Sequence, residues 1–224
     1  MRIMSYNIRN AKGMDNKIDY DRVAAVIRAE DPDIVALQEL DSMTNRSGRK
    51  DVLKEIADRC GYYYNYGAAI VYDGGKYGVG VLSKEKPLRV SNTPLPGKEE
   101  RRNLEIVEFK KFVVFAIHFS LTEADRDSSV EIINREMKNI RKPIFLAGDF
   151  NADPSSVAII RLRDSYWKLL SGEAPTFPAN KPRTCIDYIF ALKAREYRVS
   201  RAEVIADSMA SDHRPVVVDI KRES

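Results

Sequence analysis

The chain has 224 residues, enough for one large core or two small ones, and Lys and Arg exceed Asp and Glu by only 37 to 33, a net of +4. That mild excess suits an anionic substrate but falls short of the dense basic patch of a strong duplex binder. No apolar run reaches membrane-spanning length, and Cys60 and Cys185 lack metal-ligand spacing. No linker, repeat or low-complexity stretch divides the chain, so one domain over 1–224 is expected. Two buried free thiols are the default reading, with a disulfide left open. No leader precedes the first strand, which fits either an intracellular protein or a mature form whose leader was removed. The compartment stays open.

Residues 3–8 alternate and predict a first strand, with Asn7 near its end. Asp19 or Asp21 can cap a helix with Val23, Val26 and Ile27 on its inner face, and Asp31-Pro32 stops it. The apolar run 34–37 predicts a second buried strand that delivers Gln38 and Glu39. A helix over about 52–60 ends at Gly61. The tyrosine tract 62–66 opens a strand-rich middle, with strands expected at 79–82, 88–90, 104–109 and 112–117. Gly74-Gly75-Lys76-Tyr77-Gly78 has the glycines of a phosphate loop. It lacks a lysine followed by Ser or Thr before a helix, so it reads as a hairpin turn. A helix over about 123–140 leads to a short buried strand at 144–147 that opens into Gly148-Asp149-Phe150-Asn151. Asp153-Pro154 then reads as an N-cap and first helical residue, with a short helix to 162. Trp167, within 166–170, also reads as helix. Strands at 186–190, 197–205 and 216–220 complete the chain. The hairpin-linked middle rules against a wholly parallel sheet, and two sheets face to face with helices outside would bury all these strands.

Alternation places Asp149 and Asn151 on one side of a strand end. There a carboxylate could orient or deprotonate a water, and an amide could bond an oxyanion. A plain turn explains the same residue types. Weighing against the turn, Asn7, Gln38-Glu39, His118, Asp187 and Asp212-His213 all arrive at or just inside the ends of other apolar strands. Both histidines of the protein belong to this set. A lone histidine beside a strand is ordinarily a structural hydrogen-bonder. His213 is read as functional because the other pieces of a phosphoester site accompany it.

In chain order, Asn7 in SYNIR, Glu39 in LQEL, GDFNADP at 148–154, IDYIF at 186–190 and SDHRPV at 211–216 resemble the endonuclease/exonuclease/phosphatase superfamily. TNRSGRKD at 44–51, KYGVGVLSK at 76–84 and IHFSLTEADR at 117–126 resemble its small bacterial branch. The resemblance implies an α/β fold, a four-layer α/β/β/α sandwich of two packed mixed sheets with helices outside. It also implies hydrolysis of a phosphoester by in-line attack of water, assisted by Mg²⁺ or Mn²⁺. Glu39 would be the main metal ligand, helped by Asn7 and Asp212, since hard ions take oxygen ligands. Asp149 would position the water and Asn151 would hold a nonbridging oxygen. Asp187 would orient His213, which contacts the phosphate or acts in acid/base work. His118 matches a phosphate-contacting histidine of the sphingomyelinase and phosphatase branches. Arg46, Arg102 and Arg126 are candidates for binding substrate phosphate, equally readable as solvated charges.

The chain leaves little room for long insertions. It lacks the basic and apolar loops expected of an apurinic endonuclease and the exposed aromatic hairpin expected of a sphingomyelinase. Tyr62 to Tyr66 and Trp167 read as packing residues rather than stacking platforms. The expected activity is a phosphodiesterase or phosphatase on a small or exposed phosphoester, in a monomer. The alternative is a nuclease acting on DNA or RNA, gripping it with Arg49, Lys50, Arg101 and Arg102. A non-catalytic phosphate-binding module is remote, because every chemical role has an occupant.

Overall fold

Strand β1 (Arg2–Asn7) pairs in parallel with β2 (Ile34–Ser42), and helix α1 (Tyr20–Glu30) supplies the crossover that parallel neighbours require. The unit recurs in the second half, where β7 (Val113–His118) and β8 (Ile144–Asp149) are parallel and joined through α3 (Glu123–Glu136). These facts come from a computed structural model that describes residues 1–194 and 196–222. The first sheet adds β3 (Tyr63–Tyr72), β4 (Gly75–Ser83), β11 (Tyr197–Val204) and β12 (Val216–Arg222), in the order β11-β12-β1-β2-β4-β3. The second adds β5 (Arg89–Leu95), β6 (Arg102–Glu108), β9 (Trp167–Leu169) and β10 (Asp187–Leu192), in the order β5-β6-β7-β8-β10-β9. The remaining pairs are antiparallel, so both sheets are mixed.

Strand alternation divides the apolar side chains into three layers. Ile3, Ala36, Val81, Val114, Ala147 and Val218 fill the space between the sheets. Their neighbours Met4, Leu37 and Leu82 face outward, against Val23 and Ile27 of α1 and Leu53 and Ile56 of α2 (Val52–Cys60). Phe115, Leu146 and Phe190 face the other way, against Val130 and Ile133 of α3 and Ile159 and Leu162 of α4 (Val157–Asp164). The result is the α/β/β/α sandwich. Each of the larger side chains contributes about 1.5–3 kcal/mol on burial, and polar residues inside the strands, such as Ser5 and Glu105, are exceptions to the apolar pattern.

Several boundaries differ from the sequence expectation. Trp167 is in a strand, not a helix: β9 pairs with β10, and the indole Nε1 donates to Asn134 Oδ1 at 2.8 Å from a fully buried position. Pairing partners distant in sequence overrode the local pattern. The helix expected to 140 ends at Glu136 and tightens into a 3₁₀ turn over Met137–Asn139. Asp153 does not cap α4. Its Oδ1 accepts from the backbone N and hydroxyl of Ser155 in a local turn, and Ser156 precedes the first helical residue. Asp19 is the cap of α1, accepting from Arg22 N, and left-handed Asp31 (φ 45°) ends that helix. Both cysteines are free, with Cys185 buried and Cys60 only half-buried. Among the described residues no helix is long and apolar enough to cross a membrane.

Candidate active site

Register brings the first three candidate side chains together without any loop. In the second sheet His118 of β7 and Asp187 of β10 are the two cross-strand neighbours of Asp149 on β8. Side chains directly opposite in a ladder sit about 5 Å apart, so these three form one row at the sheet's end. The first sheet delivers Asn7 at the end of β1 opposite this row. Its Nδ2 donates to Asp149 Oδ2 and to Glu39 Oε1, both at 3.0 Å. Glu39 lies within β2, where the register against β4 shifts between Leu37 and Leu40, and it takes a left-handed backbone (φ 59°). A bulge of this kind re-aims one side chain out of the alternation. The last piece is the segment before β12. There Ser211 Oγ donates to Asn7 O at 2.7 Å and receives His213 N at 3.4 Å, tying His213 to the end of β1.

Asp149 Oδ2 is the hub. It lies 3.0 Å from Asn7 Nδ2, 3.5 Å from His118 Nε2 and 3.7 Å from His213 Nε2, while Oδ1 accepts from Asn151 N at 2.9 Å. His213 Nδ1 meets Asp187 Oδ2 at 2.9 Å, and the same oxygen accepts from Thr176 Oγ1 at 2.5 Å. Asn151 reaches the site differently from the expectation. It lies past the strand end with φ 46°, positioned by the turn that Asp149 Oδ1 closes, and one amide hydrogen is committed to Phe119 O at 2.9 Å. The turn and the site are the same structure here.

Burial and like charge set the protonation states. Burial first, and then the charge of Asp187, push the Asp149 carboxyl up to about 7. Burial works against an imidazolium at His213, but Asp187 and Asp149 outweigh it and raise the group to about 10. His118 moves the other way: burial and the cations of Arg102 and His213 hold it well below the usual histidine range, and so neutral. Arg102 Nη1 lies 3.2 Å from His118 Nδ1, and a guanidinium can only donate. Nδ1 is therefore the acceptor, and the ring proton is on Nε2, facing Asp149. Burial raises Glu39 as well, opposed by the hydrogen bond from Asn7 and reinforced by the charge of Asp212.

Those two carboxylates press on each other, and with Asn7 they offer oxygen donors and no thiolate. That donor chemistry fits a hard divalent ion. A second group, Asp149, Asp187 and His213, has ligand atoms within 4.8 Å of one another and could also hold an ion. Atoms of both groups already have partners: His213 Nδ1 meets Asp187 Oδ2, Asp212 Oδ2 lies 3.5 Å from Arg9 Nε, and Asn7 Oδ1 accepts from Arg9 N at 3.1 Å.

The three arginines separate. Arg46 is locked by Asp41, a carboxylate with no exposure, through Nε at 2.6 Å and Nη2 at 2.9 Å, and it borders a small pocket beside Glu39. Arg102 is buried, held by Glu99 at 3.2 Å, Glu100 at 2.6 Å and His118. Arg126 donates to the backbone carbonyls of Ser120 and Leu121 in the loop after β7. Sequence reasoning gave no part to Thr176, Ser211, Glu99 or Glu100. Thr176 reaches Asp187 only because residues 177 and 184 bridge and fold the intervening loop back, a contact no local pattern announces.

The endonuclease/exonuclease/phosphatase family model matches residues 4–213, a span that contains every residue of this cluster. The chain belongs to that family. Solved members and neighbours share its fold. An endonuclease/exonuclease/phosphatase from Beutenbergia cavernae is 24% identical with a TM-score of 0.81, over 99% of this chain and 71% of that one. A mannosyl-6-phosphatase from Bacteroides thetaiotaomicron is 21% identical at TM-score 0.77, over 99% of both chains. The human Nocturnin catalytic domain is 19% identical at TM-score 0.74, over all of this chain and 94% of that one.

Proposed function

We propose that this family member is a divalent-metal-dependent phosphoester hydrolase acting on a small or exposed ester. The observation that carries the reading is the hub at Asp149 Oδ2, on which Asn7, His118 and His213 converge from both sheets. Glu39, Asn7 and Asp212 would hold Mg²⁺ or Mn²⁺, which when bound supplies Lewis-acid neutralisation of phosphoryl charge. Asp149 orients a water and takes its proton as the water oxygen bonds to phosphorus and the ester oxygen leaves. His213, supported by Asp187, faces the phosphate as a cation, and neutral His118 presents Nε2–H to the same seat. Asn151 retains one amide hydrogen for a nonbridging oxygen.

One of the four cations named for a nuclease, Arg102, is buried, and a second, Arg49, is exposed but tied to backbone carbonyls, which favours a small ester over a polymer. Arg49 donates to the carbonyls of Met43 and Gly74, and Arg102 is buried with Glu99 and Glu100. The Bacteroides thetaiotaomicron neighbour is by its name a phosphatase of a phosphorylated sugar, which agrees with this reading. The test is a set of model phosphomonoesters and phosphodiesters assayed on metal-stripped protein. Turnover is expected to fall to background in excess chelator and to return with Mg²⁺ or Mn²⁺. Undiminished turnover without metal would overturn the reading.

A further inference from the structure

Directly after β1 the backbone makes a run of three left-handed residues: Arg9 has φ 45°, Asn10 φ 54° with ψ 31°, and Ala11 φ 59°. None is glycine, and of these three types only asparagine enters the region with any ease. Such strain persists where the surroundings over-determine it, and it gathers at functional sites. We propose that Asn10 is a positioning residue for Glu39: its side-chain amide holds the backbone bulge that aims the Glu39 carboxylate, and so sets the affinity of the divalent-ion site. The inference rests on the metal reading above and adds to it a residue outside the ligand set.

The strand ladders leave Glu39 unfixed. Its neighbour Gln38 is the last residue of β2 in register with β1, and against β4 the register jumps from Leu37 opposite Gly80 to Leu40 opposite Gly78. Glu39 therefore has no register partner in either strand, and its own backbone is left-handed at φ 59°. A bulge peptide of this kind needs partners from elsewhere. Asn10 supplies one. Three acceptors lie at one end of its amide and one donor at the other, which fixes the amide's orientation. Nδ2 donates to Glu39 O at 2.8 Å and to the Asp41 carboxylate, whose Oδ1 and Oδ2 lie at 3.1 and 3.3 Å, and Oδ1 accepts from Arg46 Nη2 at 2.9 Å.

At its other end Glu39 is held by Asn7, whose Nδ2 donates to Oε1 at 3.0 Å. Two amides three positions apart in the chain thus pin the carboxylate and the carbonyl of one residue. The turn between them closes on itself through Ala11 N to Ile8 O and Lys12 N to Arg9 O, each at 2.8 Å. The anchor behind Asn10 is firm as well: Asp41 has no exposure and also accepts from Thr44 Oγ1 at 3.0 Å and from Arg46 Nε at 2.6 Å. An outer partner that orients a metal ligand ordinarily governs about 10–100-fold in metal affinity.

Asn10→Gly removes the amide yet suits the left-handed backbone, so it tests the side chain apart from the turn. Mn²⁺ is titrated into metal-free protein by calorimetry, alongside thermal unfolding and hydrogen exchange over residues 37–41. Asn10→Gly is expected to weaken Mn²⁺ binding about 10–100-fold and to speed exchange at the bulge about tenfold. Asn10→Asp, which keeps the left-handed preference but cannot donate, should behave the same way. Thr44→Val is the control, since it cuts a bond to Asp41 and none to Glu39. It should lower the unfolding temperature while leaving Mn²⁺ affinity near the wild-type value. Wild-type affinity in folded Asn10→Gly and Asn10→Asp overturns the proposal, as does an equal loss in Thr44→Val, which would make the effect one of general stability. Should the unsubstituted protein bind no Mn²⁺, the metal reading fails instead. Exchange over 37–41 then decides the hold on the bulge: faster in Asn10→Gly upholds it, and unchanged overturns it.

Discussion

The two ends of the sandwich are built from the same strands and are chemically opposite. At one end β1, β7 and β8 finish in Asn7, His118 and Asp149, all buried, and each of these is paired with another member of the cluster. At the other end the sheets enclose a wider cavity of about 420 Å³, lined in part by Ile34, Phe112, Phe145, Tyr197 and Ile220. There charge stays on the rim, where Lys84 meets Asp31 at 2.7 Å and Asp33 at 3.7 Å in solvent. The proposed site is the smaller of the two, and it differs from the larger cavity in gathering buried titratable groups, the feature by which a functional site is sought.

The comparison breaks most sharply at Asp187. Asp187→Asn keeps the shape but withdraws the charge that supports His213, and kcat should fall about 10²–10⁴-fold, the usual size of an acid/base contribution. Stability should change by only about 1 kcal/mol, the net worth of one hydrogen bond. Adding His213→Ala should then cost little more, since the pair acts as a unit. Near-normal kcat in folded Asp187→Asn would remove the pair from the machinery.

The opposite end should respond in reverse. Phe145 is 2% exposed and packs edge-on against Tyr197 at 5.4 Å and Phe112 at 6.0 Å. Phe145→Ala should cost about 3–5 kcal/mol in denaturant unfolding while turnover per folded molecule is retained. A large loss of kcat with stability intact would mean the two ends are coupled.

The smallest effect is expected at Glu99, which Arg102 links to His118. Burial alone would raise this carboxyl. Hydrogen bonds from Leu121 N, from its own amide, from Ser120 Oγ and from Arg102 outweigh burial and bring it down to about 2. A depressed acid stabilises the fold above its ordinary value near 4.5, and that contribution is lost as pH falls from there toward about 2. Glu99→Gln should therefore lower the unfolding temperature modestly at pH 7, the loss being under about 1 kcal/mol because Glu99 itself is exposed and screened by solvent. Wild type and variant should converge near pH 2. A gap that is constant with pH would show that shape, not charge, joins the two loops.

Period-two alternation and short apolar runs announced most strands, and Asn7, Glu39, His118, Asp149, Asp187 and His213 stood out because polar residues ended those runs. That much the chain determines locally: a strand's apolar pattern breaks where the sheet meets water or a site. Tertiary structure decided the rest. Trp167 became a strand because β10 offered a ladder, and Asn151 reached the site through a left-handed turn instead of by alternation. Glu39 is aimed by a bulge that exists only against β4, and Thr176 meets Asp187 through a folded-back loop. Arg46 and Arg102, ambiguous as isolated charges, have partners that only the fold supplies: the buried Asp41 for one, and His118, Glu99 and Glu100 for the other. Local sequence encodes period and breaks in period. A long-range hydrogen bond or a buried countercharge depends on partners tens of residues away, and these become neighbours only once the sheets have paired.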